Sequence, residues 1–299
     1  MYKIKFSIII PTFNREFILG ETLRSVQNQS YDNWEAIIVD DGSTDQTKAL
    51  VESFDEPRFK YFYKKNEERS IARNFGIDQS DGDFITFLDS DDILLENCLQ
   101  NALDYLKTNS QAEVFHLAYE IRDRKNKNVL SKYPKDRFIM NESLLSGNPM
   151  SCMTTFLRRY IGNNYKFDTD KRLLFSEDWE YWLRISTEYD IYFCNKLSGV
   201  LYEHENRGVN LISVDKHIES KSFFLNKVLQ NSLIFNKYNK KLKRLMVHSK
   251  LYIALEYALL KNKKICLSYL FSAISISPFL ALRQRIFWGT IKNLFISKQ

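Results

Sequence analysis

The first half of the chain alternates between two kinds of segment, and this alternation limits the available folds more than any other feature. KFSIII (5–10), WEAIIV (34–39), FKYFY (59–63) and FITFL (84–88) are short, apolar and rich in branched or aromatic residues, so they read as strands. Between them, Ile18, Leu19, Leu23 and Val26, then Ala49, Leu50 and Phe54, then Ile71, Phe75 and Ile77 recur at the spacing of a helix with one buried face. Strands alternating with helices imply parallel pairing, right-handed crossovers and helices on both sheet faces. A further helix is predicted around Cys98, Leu99, Ala102, Leu103 and Leu106, and a strand at VFHLAYEI (114–121) before a polar KNKN turn. The expected fold class is α/β, and ligands in such sheets sit beyond the carboxyl ends of the strands.

That rule singles out three loops: PTFNRE after the first strand, DDGSTD after the second and DSDD after the fourth. In DDGSTD, Gly42 permits a tight turn and Ser43 to Asp45 can cap the next helix. A turn does not by itself call for adjacent Asp40 and Asp41, and a carboxylate there can accept a hydrogen bond from the imide N–H of uracil or thymine. In DSDD, Asp89, Asp91 and Asp92 crowd four positions. Carboxylates that close raise one another's pKa, so a fold that keeps them ionised supplies a cation or leaves them in water. If the segment is extended, Asp89 and Asp91 face the same way and can serve one ligand shell, with Asp92 acting elsewhere. Mg²⁺ or Mn²⁺ would suit such a shell, taking one or two carboxylates plus diphosphate oxygens. An exposed acidic turn is the plain alternative.

Composition sets the remaining bounds. A chain of 299 residues with 44% hydrophobic content can bury a core, and a net charge of +6 favours anionic partners without singling out nucleic acid, so none is expected. Cys98, Cys152, Cys194 and Cys266 form no zinc or disulfide spacing, which suits a reducing cytoplasm. The apolar run in MYKIKFSIIIPTFN is a strand's length and lacks a cleavage site, so it reads as the first strand. Ile265 to Leu282 carries no charge, but Ser268, Ser272 and Ser275 lie opposite Leu267, Leu270, Phe271 and Ile274, and Pro278 interrupts; an amphipathic surface is expected, not a span. Arg283, Arg285, Lys292 and Lys298 alternate with Phe279, Phe287, Trp288 and Phe295. That pattern suits a peripheral membrane surface, a helical bundle packed on the catalytic domain, or a homo-oligomer contact.

SIIIPTFNRE, IIVDDGSTD, SIARNFGI, GDFITFLDSDD and FSEDWEYWLRI, in this order, resemble the inverting family-two glycosyltransferases with the GT-A fold, over about residues 4–210. The resemblance implies a nucleotide-diphospho-sugar transferase fold, a mainly parallel Rossmann-like sheet flanked by helices. It implies a catalytic domain over 1–214, and from about Asp215 the pattern itself turns helical and basic, so a C-terminal helical region is expected over 215–299. Pro11, Thr12, Phe13 and Asp41 would hold the base of a nucleotide sugar, usually UDP, with Arg73 near the nucleotide. Asp89 would meet the ribose or metal, and Asp91 would be the principal ligand of Mn²⁺ or Mg²⁺, which offsets charge on the departing diphosphate. Asp178 matches the family's base; Ser176 as N-cap would put it in the first helical turn, where the dipole favours a carboxylate. Glu177 would orient the acceptor, whereas the spacing of Trp179, Trp182 and Leu183 suits core positions. His204, in LYEHENRGVN, would complete the metal shell or contact the diphosphate, in a setting where Glu203, Glu205 and Arg207 make the charge unusual for the family. NEERS replaces a frequent glycine-containing stretch, so Glu67, Glu68 and Arg69 would reshape the nucleotide edge.

The implied activity is inverting transfer of a hexosyl or N-acetylhexosaminyl unit from a nucleotide-sugar donor to a hydroxyl of a glycan or lipid-linked glycan. Its setting would be surface polysaccharide synthesis, in the cytoplasm or on the inner face of the membrane. Two other readings stay open: a non-catalytic nucleotide- or glycan-binding module of the same fold, and a membrane or partner scaffold acting through the C-terminal helices. A dinucleotide-dependent dehydrogenase is disfavoured, because no G-x-G-x-x-G follows any strand.

Overall fold

The computed structural model describes residues 3–133, 139–205 and 213–295. These divide into two compact units, one built from residues 1–140, 149–169 and 188–207, the other from 141–148, 170–187 and 208–299. Compactness therefore does not follow a single cut near residue 214: the segment around Asp178 groups with the helical tail.

The first unit opens with β1 (Phe6–Thr12), α1 (Leu19–Gln27), β2 (Trp34–Asp40), α2 (Thr47–Glu52), β3 (Phe59–Tyr63), α3 (Arg69–Gln79) and β4 (Phe84–Phe87). It continues with β5 (Ile93–Leu94), α4 (Cys98–Thr108), β6 (Val114–Asp123), β7 (Val129–Tyr133), β8 (Thr155–Arg158) and α5 (Arg159–Asn164). After α6 (Glu177–Ile185), which belongs to the second unit, β9 (Ile191–Glu203) returns to the sheet. The strand order is β3-β2-β1-β4-β8-β6-β9-β5, with β7 on β6. From β3 to β4 the pairing is parallel, as the alternating pattern requires. Beyond β4 the sheet is mixed: β8 lies antiparallel to both β4 and β6, β6 runs parallel to β9, and β5 closes antiparallel on β9.

Alternation along β1 explains how both faces are covered. Phe6, Ile8 and Ile10 join Leu23, Val26, Phe84, Leu99 and Phe156 in one core. Ile9 faces the other way, onto α3, and the approach is close enough that a Cβ on Gly76 would fall 2.3 Å from Ile9 Cγ2. Only glycine fits there. The register then sets the rim, since Thr12 pairs with Asp40 and Asp40 with Tyr63, so the first three strands end level.

In the second unit, α6 is followed by α7 (Val214–Gln230), α8 (Ser232–Tyr238), α9 (Leu242–Leu259), α10 (Lys263–Ile276), α11 (Pro278–Arg283) and α12 (Arg285–Phe295). Val247, Leu251, Ala254, Cys266, Leu270 and Phe287 form part of its core. The uncharged stretch is broken as its serines and proline suggest: α10 stops at Ile276, and Ser277 Oγ accepts from Leu280 N to cap α11, with Pro278 in its first turn. Among the described residues no helix is long and apolar enough to cross a membrane.

Candidate active site

At the rim of the parallel half, the loops after β1 and β2 are fastened to each other. Asn14 N donates to Ser43 Oγ (2.8 Å), Thr44 N to Asn14 Oδ1 (2.9 Å) and Arg15 N to Thr47 Oγ1 (2.9 Å). The segment expected as a PTF loop is partly strand: β1 runs through Pro11 and Thr12, and both are buried, so of the three only Phe13 is exposed, at 45%. Pro11 is tolerated there because the β4 ladder on its other side ends at the Ile9–Phe87 pair. Thr12 Oγ1 is buried with no hydrogen-bond partner among the described residues, a polar group facing the rim's interior.

The adjacent carboxylates at the end of β2 each have a local use. Asp40 accepts from Ser43 N (2.7 Å) and the Tyr61 hydroxyl (2.6 Å), closing the turn in which Gly42 takes φ +88°. Asp41 accepts from Lys64 Nζ (2.6 Å), Glu67 N (3.1 Å) and Glu68 N (2.9 Å). It thereby pins the segment 64–68 that leads into α3. Burial lowers the Lys64 pKa, but Asp41 and Glu67 outweigh it and the net shift is upward. Glu68, at φ +91°, is held in the left-handed region just before α3.

DSDD is a turn, not the extended segment that would aim Asp89 and Asp91 the same way: Asp92 N donates back to Asp89 O (3.1 Å). The turn separates the three carboxylates. Asp89 Oδ1 accepts from Arg73 Nη2 (2.7 Å), and Arg73 is buried, with its guanidinium 5.2 Å from the Phe167 ring centre. Asp92 is not directed to a ligand, because it is buried and its Oδ1 accepts from Tyr202 N (2.9 Å). Asp91 Oδ2 lies 3.2 Å from His204 Nε2 and 4.0 Å from Arg15 Nη2. Asp91, in the turn after β4, and His204, just past the end of β9, are thus brought together from positions more than a hundred residues apart.

Two ligands at right angles around an ion with bonds of about 2.1 Å stand about 3 Å apart, so the Asp91–His204 separation suits neighbouring positions of one octahedron. Among the described residues no group of three His, Cys, Asp or Glu is gathered for a metal. An ion here would complete its shell with diphosphate oxygens and water, as Mg²⁺ commonly does.

In the second unit, Asp178 lies in the first turn of α6. Ser176 occupies the N-cap position but makes no side-chain cap; at φ −137°, ψ 2° it is off the usual capping geometry, and its Oγ accepts from Lys221 Nζ (2.9 Å). Asp178 caps instead, its Oδ1 accepting from Trp179 N (2.7 Å) while Oδ2 accepts from Asn148 Nδ2 (2.9 Å). Glu177 is buried, as are Trp179, Trp182 and Leu183, the last three at the core positions their spacing indicates. Phe175, the residue before Ser176, takes φ +60°, which is strained for an aromatic side chain.

Three participants carried no sequence signal. Asn148 comes from a separate stretch of the chain, and Arg15 lies in a loop whose composition reads only as polar. Lys221 lies in a helix that reads as basic tail, yet its ammonium is 5.3 Å from the Trp179 ring centre and 5.4 Å from that of Tyr252. Burial lowers its pKa against the opposing pull of Asp178, Glu177 and Glu256. Arg207 and Lys298, also singled out in the sequence, lie outside the described residues.

The family model described as glycosyl transferase family 2 matches residues 7–164, which hold the β1, β2 and β4 rim. The chain belongs to glycosyl transferase family 2. Among curated relatives of this family-2 chain, the UDP-Glc:alpha-D-GlcNAc-diphosphoundecaprenol beta-1,3-glucosyltransferase of Escherichia coli is 31% identical over 186 residues, covering 62% of this chain and 71% of that protein. The GalNAc(5)-diNAcBac-PP-undecaprenol beta-1,3-glucosyltransferase of Campylobacter jejuni is 42% identical over 103 residues, a third of each chain (33%). An uncharacterized glycosyltransferase of Rickettsia bellii is 37% identical over 146 residues, covering 48% of this chain but only 20% of that protein. The chain therefore spans a minority of the length of some relatives it matches. Among solved structures, S. aureus TarS in complex with UDP-GlcNAc superposes with TM-score 0.68 at 20% identity, covering 97% of this chain and 88% of that one. The Pyrobaculum calidifontis mannosyltransferase PcManGT in complex with GDP-Man and Mn2+ gives TM-score 0.63 at 16% identity, covering 98% and 88%. At these identities the structural likeness carries the GT-A α/β fold alone.

Proposed function

We propose that this family-2 chain transfers a sugar, with inversion, from a nucleotide-diphosphate donor to a hydroxyl of a lipid-diphosphate-linked glycan. A UDP-sugar is the favoured donor. The observation that carries the reading is the Asp91–His204 pair (3.2 Å) at the rim of the sheet, a two-ligand cradle that a donor diphosphate would complete. Support for the acceptor class comes from the E. coli and C. jejuni relatives, whose names specify undecaprenol-linked glycans.

In this reading the first unit binds and orients the donor. Phe13 offers an exposed ring to the base, Asp41 fixes the segment 64–68 beside it, and Arg73, held on Asp89, places positive charge near the nucleotide. Asp91 and His204 would hold Mn²⁺ or Mg²⁺, which when bound offsets the charge that develops on the departing diphosphate. Asp178 takes the proton of the acceptor hydroxyl as that oxygen attacks the anomeric carbon from the side opposite the diphosphate. Asn148 fixes the orientation of its carboxylate, and Glu177 positions the acceptor.

The test is nucleotide release and sugar transfer from UDP-, TDP- and GDP-sugars with Mn²⁺ or Mg²⁺, comparing the wild type with Asp178→Asn. General-base loss should lower transfer by on the order of 10³-fold while donor binding persists. Equal transfer by the variant would remove Asp178 from the role, and full activity in strong chelator would remove the ion.

A further inference from the structure

Residues 257–299 contain seven Lys or Arg and no Asp or Glu, which is more than the whole chain's excess of +6. Within that stretch the second unit leaves large apolar side chains in solvent: Phe279, Leu282, Trp288 at 57% and Phe295 at 72%. These are not scattered. On α12, Arg285, Trp288, Lys292 and Phe295 follow one another at three- and four-residue spacing on the exposed side, while Phe287, Thr290 and Leu294 fill the buried side. On α11, the Arg283 guanidinium lies 4.9 Å from the Phe279 ring centre. Trp288 Nε1 donates to Leu282 O (2.9 Å), joining the two helices' exposed residues into one patch.

We propose that this α11–α12 face docks on the surface of a membrane rich in anionic lipid. Aromatic rings and leucine would enter the headgroup region while Arg283, Arg285 and Lys292 extend their charges to lipid phosphates, an arrangement such stems allow. The charge decides between occupants. A two-fold contact with a second copy would bring this acid-free, cationic face against itself, whereas an anionic bilayer complements every charge on it. Nucleic acid would also answer the cations, but gives no reason for Leu282 to stand exposed among the rings. The face lies only on residues outside the donor and acceptor machinery proposed above, so it goes beyond that reading.

The experiment is flotation of the full chain with vesicles of phosphatidylcholine alone or with a third phosphatidylglycerol, without donor or acceptor, so the outcome is separate from that of the proposed transfer. Binding to the anionic vesicles should fall about fivefold for each of Arg283→Gln, Arg285→Gln and Lys292→Gln. Trp288→Ser should weaken it at least tenfold, with thermal unfolding and donor hydrolysis unchanged. Equal binding to neutral vesicles, binding to neither, or variants that float like the wild type would overturn the proposal. So would a concentration-dependent dimer abolished by Trp288→Glu without vesicle binding, or capture by single-stranded DNA in preference to vesicles.

Discussion

The sheet carries two acidic turns of similar composition, DDGSTD after β2 and DSDD after β4, and the folded chain uses them differently. After β2 both carboxylates are engaged locally: Asp40 on Ser43 N and Tyr61, Asp41 on Lys64 and the amides of Glu67 and Glu68. After β4, Asp92 has a comparable backbone partner, Tyr202 N. Asp91 instead faces two side chains, His204 and Arg15. A carboxylate that closes a turn on backbone amides cannot leave them without opening that turn, whereas one matched by side chains can exchange them for a ligand. The kind of partner, not the number of acids, separates a structural turn from the one proposed to bind a ligand.

That contrast can be broken by substitution. The largest effect is expected for Asp91→Ala, which should lower ion-supported nucleotide release by on the order of 10³-fold, with the urea midpoint almost unmoved. A large loss of stability there would erase the distinction. Asp41→Ala should do the reverse first: loss of hydrogen bonds to a buried carboxylate is expected to cost about 2–3 kcal/mol in urea unfolding. Next is Gly42→Ala, where a Cβ would sit 2.9 Å from Asn66 N at a φ of +88°; about 1–2 kcal/mol is expected, and an unchanged melting curve would show that the turn can relax.

The smallest effect concerns Glu35, a buried β2 carboxylate with no part in the site. Burial pushes its pKa up, but Asp81 N, Lys60, Ser7 and Lys5 together pull it down from 4.5 to about 2. Its folded pKa is depressed, so its stabilisation is full above pH 4.5 and fades as pH falls toward about 2. The stability gap between wild type and Glu35→Gln should therefore be present at neutral pH and close in that acid window. A gap that persisted below pH 2 would mean packing, not charge, sustains it.

Much of the first half was legible because its elements obey local rules. FKYFY is a strand over the same residues, Phe59–Tyr63, and the helix expected around Cys98 to Leu106 is Cys98–Thr108. In the mixed half VFHLAYEI was read as a strand and is β6, while β5 and β9 escaped for physical reasons. β5 is only Ile93–Leu94, too short to show a period. β9 contains Asn195, Lys196 and Leu197 in mid-strand, where the pairing with β6 shifts register and the side chains turn outward, so the alternation that marks a strand is broken there. Of the proposed site, Asp91 and Asp178 could be picked out by their neighbours in sequence. Lys221 and Asn148 could not, since nothing local distinguishes a lysine or asparagine that will meet a carboxylate-bearing helix.

By itself the sequence determined the repeating strand–helix order, the rim at which the polar loops emerge, and the acid-free cationic end of the chain. These depend on period, turn chemistry and charge, which act over a few residues. Tertiary structure decided the antiparallel insertion of β8, the bending of DSDD into a turn, and the pairing of Asp91 with His204 across 113 positions. Each of those outcomes depends on which distant backbone or side chain arrives to satisfy a polar group, and that is settled only when the whole sheet has packed.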